Sequence, residues 1–408
     1  MTATRNLGFR YLWIDSVCIV QDDEEDWARE ATLMYKVYAN AECNLAAAAS
    51  RDSSGGLFFK RTGLHGQCVA QNHAWVHQEW LMSKRTVQFA RNQVFWECDY
   101  LCACEVFPDG LPYCIRYDGK KNLAEDLGNA TCLMRRDINA DTSRVGPDLI
   151  QLWSGLITNY TGGELTKSSD WLPALSGIAK WLQPHLGNPG YLAGLWNNSD
   201  LHRQLAWFSC TTTNPRPQYR DAGWSWALID GRILWINPPR IFTPQSEIID
   251  ISTTRGGSDP TGPVIGGHIL IKGSLGRVQV IDHKAGPILC REDEIKETYG
   301  GPVTFRGFDV SGLQFGLYYV LLLGICTTDP DKIHSSLLED DYLLATYLVL
   351  RPVIGQHGTF EQCGLVSECY TEDDETMNIE HSRAEGHRAG KIYPAKSMPN
   401  MKELTGSA

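Results

Sequence analysis

The stretch Tyr11-Leu-Trp-Ile-Asp-Ser-Val-Cys18, followed by the acidic run Gln21-Asp-Asp-Glu-Glu-Asp26, decides the reading of the fold. Tyr11 to Gln21 is apolar and β-branched and too short for a typical helix, so it predicts a strand buried on both faces, as in a parallel sheet. Asp15 interrupts that run. A carboxylate in a buried strand costs several kcal/mol unless it is paired or hydrogen-bonded, so it either serves a site or caps a neighbour. The acidic residues that follow suit a helix N-terminus. Trp27, Ala31, Met34, Tyr38 and Ala41 then recur at spacings of three and four and predict a helix with one apolar face. Cys43 to Ala49 reads as the next short strand. Strand, helix, strand in so few residues is a βαβ unit with a right-handed crossover.

Composition narrows the function classes. An apolar share of 43% and a charged share of 21% over 408 residues describe a globular chain of two or three domains. A net charge of −11 argues against nucleic acid and anionic membranes as partners. The longest apolar run, near Phe315 to Cys326, is too short for a membrane span, and Met1 is followed by no apolar signal segment. These features and thirteen scattered cysteines predict a reduced, cytoplasmic protein. Cys98, Cys102, Cys104 and Cys114 cluster, but without a C-x-x-C pair or a companion histidine, so no metal is expected. There is no G-x-G-x-x-G after a strand, P-loop, H-E-x-x-H or G-x-S-x-G, and no cofactor is expected.

Several ordered blocks resemble the fungal heterokaryon-incompatibility (HET) domain. They are Arg10-Tyr-Leu-Trp-Ile-Asp-Ser-Val-Cys-Ile-Val-Gln-Asp-Asp23, Met34-Tyr-Lys-Val-Tyr-Ala-Asn-Ala41, Ser54-Gly-Gly-Leu-Phe58, Trp75-Val-His-Gln-Glu-Trp-Leu-Met-Ser-Lys-Arg-Thr86 and Gln93-Val-Phe-Trp-Glu-Cys98. Three later blocks, Leu165 to Ala179, Tyr191 to Trp196 and Gly223 to Gly231, resemble the region that often follows the domain. The resemblance implies a doubly wound, TIR- or Rossmann-like α/β domain. Ten residues precede the Tyr11 strand, whereas the family usually places a Ser-Tyr-x-Trp-Gly strand and a helix there, so the domain is expected to be N-terminally truncated.

Along the rest of the chain, His73–Ser83 reads as a short helix. Thr86–Ala90 and Gln93–Glu97 read as a hairpin around Arg91-Asn92, with Val87, Phe89, Val94 and Trp96 as cross-strand partners. These elements close a truncated α/β domain at 1–98. Residues 99–146 read as a loop or insertion and a candidate lid. Residues 147–222 read as helical, with a stripe from Leu149 to Tyr160, a second helix capped by Asp170 and running to about Leu186, and a short one over Asp200–Trp207. Residues 223–370 read as an antiparallel β-rich sandwich or partial barrel, opening with a hairpin, Trp224–Trp235, around Asp230-Gly231. Residues 371–408 read as a polar tail.

Chemistry has few candidates. Asp15 is either a polar anchor at the end of a strand or a carboxylate bonded to amides at a helix N-terminus. The resemblance brings in TIR relatives, some of which cleave NAD with a glutamate; by that analogy Glu79 is a candidate, the alternative being an ion pair with Arg85. Trp224 and Trp226, two apart in a strand, face one side of the sheet, as core or as the wall of a pocket. Trp13, Trp75, Trp196, Trp224 and Trp226 are the candidate substrate-binding residues, and Gln78, Glu79, Ser225 and Asp15 the candidate catalytic ones. The resemblance includes members co-opted as Diels–Alder type cyclases. With no cofactor motif, the leading expectation is such a cyclase, folding a small apolar polyene or terpenoid in an aromatic pocket. The alternative is an incompatibility protein of non-self recognition and regulated cell death, with TIR-like NAD cleavage as a more remote third reading.

Overall fold

The computed structural model describes residues 1–50, 55–59, 74–91, 93–98, 100–111, 149–163, 165, 168–209, 223–235, 240–283, 286–291, 305–308, 316–328, 342–371 and 388–392. The chain divides into two compact units. The first is Met1–Gln71, Trp75–Leu133 and Pro173–Leu182; the second is Asn72–Ala74, Met134–Leu172 and Gln183–Ala408.

In the first unit the segment expected as a strand takes another course. After helix α1 (Thr2–Asn6), residues 11–14 run without strand pairing and Asp15–Cys18 form a single short helix, α2. Local bonds explain the departure. The Asp15 carboxylate accepts from the Ser16 amide at 2.6 Å, Cys18 N–H donates to Ile14 O at 2.8 Å, and Ile19 N–H donates to Asp15 O at 2.9 Å. An acidic side chain that bonds its own backbone competes with a sheet ladder. Tyr11 is 84% exposed and Val17 76%, so this segment is not buried on two faces.

Helix α3 (Glu24–Asn40) follows the sequence expectation for the stripe from Trp27 to Tyr38, while Ala41 is the extended C-cap just past its end. Its N-cap Asp23 accepts from the amides of Glu25 and Asp26 at 2.9 and 3.0 Å, satisfying donors that a helix start leaves open. Ala31 and Met34 are buried. Strand β1 (Asn44–Ala46), helix α4 (Ala74–Met82) and strands β2 (Arg85–Phe89), β3 (Val94–Cys98) and β4 (Cys102–Cys104) complete this part. The sheet order is β1-β2-β3-β4, with β1 parallel to β2 and the other pairs antiparallel. Val87 faces Trp96 and Phe89 faces Val94, as the alternation predicts. β4 falls in the stretch read as a loop; its three residues, Cys-Ala-Cys, are too few to carry a period. The rest of that candidate lid, from residue 112, lies outside the described residues.

The second unit begins with α5 (Leu149–Tyr160), whose Trp153, Ile157 and Tyr160 are almost wholly buried. Helix α6 (Trp171–Leu182) ends four residues short of the expected stop, and its residues from Pro173 belong to the first unit. Strands β5 (Gly190–Leu192) and β6 (Leu195–Asn197) form a hairpin, and α7 (Leu201–Leu205) follows. The hairpin expected over Trp224–Trp235 is not formed. Trp226–Leu228 is one 3-10 turn capped by the Ser225 hydroxyl, and β8 (Ile233–Trp235) pairs instead with β7 (Trp207–Ser209). Asp230 is drawn away from a tight turn because its carboxylate accepts the Trp171 indole N–H at 2.9 Å.

Among the described residues, ten later strands build one sheet. They are β9 (Arg240–Pro244), β10 (Glu247–Arg255), β11 (Val264–Gly273), β12 (Leu275–His283), β13 (Gly286–Arg291), β14 (Phe305–Phe308), β15 (Gly316–Thr328), β16 (Tyr342–Pro352), β17 (Thr359–Thr371) and β18 (Arg388–Ile392). The order is β10-β11-β18-β17-β16-β15-β12-β13, with β14 on β17 and β9 on β15. The alternating stretches Ile248–Ile251, His268–Ile271, Arg277–Ile281, Tyr318–Leu323, Tyr342–Leu350 and Glu361–Val366, each of which reads as a strand from sequence, lie inside these elements. Among the described residues the sheet does not close into a barrel: β10 and β13 end the path without pairing to each other. β18 falls in the expected polar tail, where Lys391 pairs with Leu270 and Ile392 with Ile269 across β11. The architecture is mixed helix and strand with strand-rich sheets.

Candidate functional site

Two helices of the first unit bring an acid and a phenol together. Tyr38 lies on the inward stripe of α3, and Glu79 sits on α4, where its carbonyl accepts from the Ser83 hydroxyl at 2.6 Å and the Ser83 amide at 3.2 Å. The two side chains are hydrogen-bonded to each other. Burial drives the electrostatics. Desolvation is the largest influence on Glu79, the Asp15 charge adds to it, and the Tyr38 hydrogen bond partly offsets both, leaving the carboxyl raised from 4.5 to about 7. Desolvation, then the neighbouring Glu79 charge, holds the Tyr38 phenol far above its ordinary 10. Tyr38 is therefore the donor and Glu79 the acceptor. Glu79 is mostly buried, and its carboxyl is poised to change protonation state near neutral pH. Trp13 completes the setting, its ring edge-on to Tyr38 at 5.7 Å and 78°.

The other candidates are placed as follows. Asp15 is exposed at the first residue of α2, not buried in a strand, and acts on the pair through its charge. Gln78 is wholly buried in the first unit. With its amide oriented to satisfy both groups, its nitrogen donates to Ala174 O at 2.7 Å and its oxygen accepts from Tyr35 N at 3.1 Å. Arg85 pairs with Glu42 at 3.1 Å, so the ion pair considered for Glu79 is replaced by the Tyr38 bond. The Trp75 side chain lies outside the described residues. Trp13 belongs to the first unit, whereas Trp196, Trp224 and Trp226 belong to the second and are fully buried.

In that core, Trp226 and Trp153 donate their indole N–H groups to one carbonyl, Gly194 O, at 3.1 and 3.0 Å, and Trp207 donates to Trp224 O at 3.1 Å. The Ser225 hydroxyl donates to Ala193 O at 2.6 Å and accepts from Ala227 N at 3.1 Å. Its one hydrogen is used inside the fold. The picture of Trp224 and Trp226 as neighbours on one face of a strand is corrected, since the chain turns between them. Among the described residues no group of three or more His, Cys, Asp or Glu is placed to hold a metal ion; Cys114 lies outside them.

Sequence reading missed Tyr38 as a site residue. It counted the side chain toward an apolar stripe, and the available signal was that a tyrosine on such a stripe carries a hydroxyl inward and must find an acceptor.

The first unit is thus a mixed helix-and-sheet unit holding a carboxyl–phenol pair able to take up or release a proton near neutral pH. Residues 1–97, which include Trp13, Asp15, Tyr38 and Glu79, match the family described as Heterokaryon incompatibility protein (HET). No curated protein and no solved structure matches the chain. No described helix is long and apolar enough to cross a membrane.

Proposed function

We propose that the protein acts in heterokaryon incompatibility, the fungal recognition of non-self that ends in regulated cell death, and that Glu79 is the reactive group of its first unit. The observation that carries this reading is the Glu79–Tyr38 pair inside the family-matched range: burial raises Glu79 to about 7 while the phenol keeps its proton. A carboxyl poised there works as general acid, general base or nucleophile at a glycosidic bond. The reaction class is cleavage of the N-glycosidic bond of a nucleotide such as NAD. Glu79 supports positive charge developing on the sugar, and its carboxylate directs water to the anomeric carbon. Tyr38 fixes the carboxylate, and Asp15 adds negative charge facing the developing cation.

The reading as a cofactor-free cyclase of an apolar substrate has less behind it. It needs accessible donors and an aromatic wall, while Gln78 is wholly buried and donates to Ala174 O, Ser225 gives its one hydrogen to Ala193 O, and Trp196, Trp224 and Trp226 are core.

The test is expression of the full chain and of Glu79→Gln in a filamentous fungus, with nicotinamide release from NAD followed on the purified proteins. The reading expects growth arrest and nicotinamide release with the wild type and loss of both with Glu79→Gln at equal abundance. Growth arrest undiminished by Glu79→Gln would overturn it.

A further inference from the structure

The large sheet carries a second cluster of reactive groups, remote in sequence from Glu79. Ser252 on β10 and His268 on β11 are directly opposed in the antiparallel register. Asp250 stands two residues before Ser252 on the same strand, so the period of two sends both side chains to one face. The side chains meet there. Ser252 Oγ lies 3.1 Å from His268 Nδ1, and His268 Nε2 lies 2.8 Å from Asp250 Oδ2. The His268 side chain is 23% exposed and that of Asp250 59%, and Ser252 is exposed, so the serine is reachable from solvent.

A carboxylate accepts only, which places the imidazole proton on Nε2 and leaves Nδ1 bare toward the serine hydroxyl. That is the tautomer a general base needs, fixed by the group behind the ring. A nucleophile and a base within hydrogen-bond reach, with the base oriented by a third group, are the parts of an activated serine.

We propose that Ser252 is a nucleophile toward activated acyl and phosphonyl groups, with His268 as its base and Asp250 as the positioning residue. With an aryl ester, Ser252 Oγ bonds to the carbonyl carbon, the hydroxyl proton passes to His268 Nδ1, and the aryloxide leaves and takes that proton. Water, deprotonated by His268, then cleaves the acyl–serine ester, returning the serine and releasing the carboxylic acid. With a fluorophosphonate the same attack forms the oxygen–phosphorus bond and expels fluoride, and the adduct persists. The ligand class is small neutral esters, matching an open sheet face.

The test is labelling of the full chain with a fluorophosphonate probe, located by peptide mass, together with 4-nitrophenyl acetate hydrolysis. The proposal expects a single adduct on Ser252, none in Ser252→Ala, and at least about a tenfold slower reaction in His268→Asn. Asp250→Asn lowers the maximal labelling rate but not the half-saturating probe concentration, a split that mere loosening of the sheet does not produce. As a check independent of the probe, Ser252→Cys reacts with iodoacetamide faster than Ser252→Cys/His268→Asn does. Absence of the Ser252 adduct, or equal rates with and without His268, overturns the proposal.

Discussion

Tyr38 donates its phenolic hydroxyl to the carboxylate of Glu79, joining α3 to α4 in the first unit: burial pushes both groups upward, the Glu79 charge raises the phenol further, and the phenol's bond partly lowers Glu79. The bond has direction because the shifts are unequal. The phenol sits far above its usual range and holds its proton, whereas the acid changes state at about 7. Proton traffic at neutral pH therefore belongs to Glu79.

This ties stability to pH. Glu79 binds its proton more tightly folded, at about 7, than unfolded, near 4.5. Its contribution is fully present below the unfolded value and is lost as pH rises through 7, a loss on the order of 3 kcal/mol. Thermal unfolding between pH 4 and 8 should show the midpoint falling over this window. Glu79→Gln should flatten that part of the curve and exceed the wild type in stability at pH 8.

Removing the phenol separates its two roles. In Tyr38→Phe the bond that favours the Glu79 carboxylate is gone while burial and the Asp15 charge remain, so the acid should titrate above its wild-type value. A pH–rate profile should shift its acidic limb to higher pH, with a lower rate at neutrality.

Gly177 tests the packing behind the site. Alanine usually stabilises a helix interior by up to about 1 kcal/mol over glycine. Here a Cβ would lie 2.4 Å from Tyr35 Cβ and 2.9 Å from Gln78 Cδ, both inside the first unit. Overpacking decides the sign, and Gly177→Ala should cost about 1–3 kcal/mol in chemical denaturation.

Gly194 plays the matching part in the second unit. Its φ of +92° disfavours any side chain, and a Cβ would meet Trp226 Nε1 at 2.4 Å, at the carbonyl where two indoles converge. Gly194→Ala should cost about 3 kcal/mol or more and shift the tryptophan fluorescence of the folded state.

What the sequence made legible follows a physical divide. Elements held by their own periodicity and local chemistry were readable: α3 with its acidic N-terminus, the β2–β3 register with Val87 opposite Trp96, and the strands from Ile248 onward. Elements decided by a distant partner were not. Tyr11 to Gln21 has the composition of a strand, yet Asp15 bonds to its own backbone and the segment turns. Trp224–Trp235 has a hairpin's turn signal, but Asp230 is taken by Trp171 and β8 by β7. At the site, Glu79 was legible as a candidate, while Tyr38 was hidden because a stripe of apolar spacing does not say what its hydroxyl meets.

The most direct test of the Glu79 site is the pH titration of its carboxyl carbon by NMR, assigned by difference against Glu79→Gln. The account predicts a transition at about 7, moving upward in Tyr38→Phe. A transition at the ordinary 4.5, unmoved by Tyr38→Phe, would contradict it.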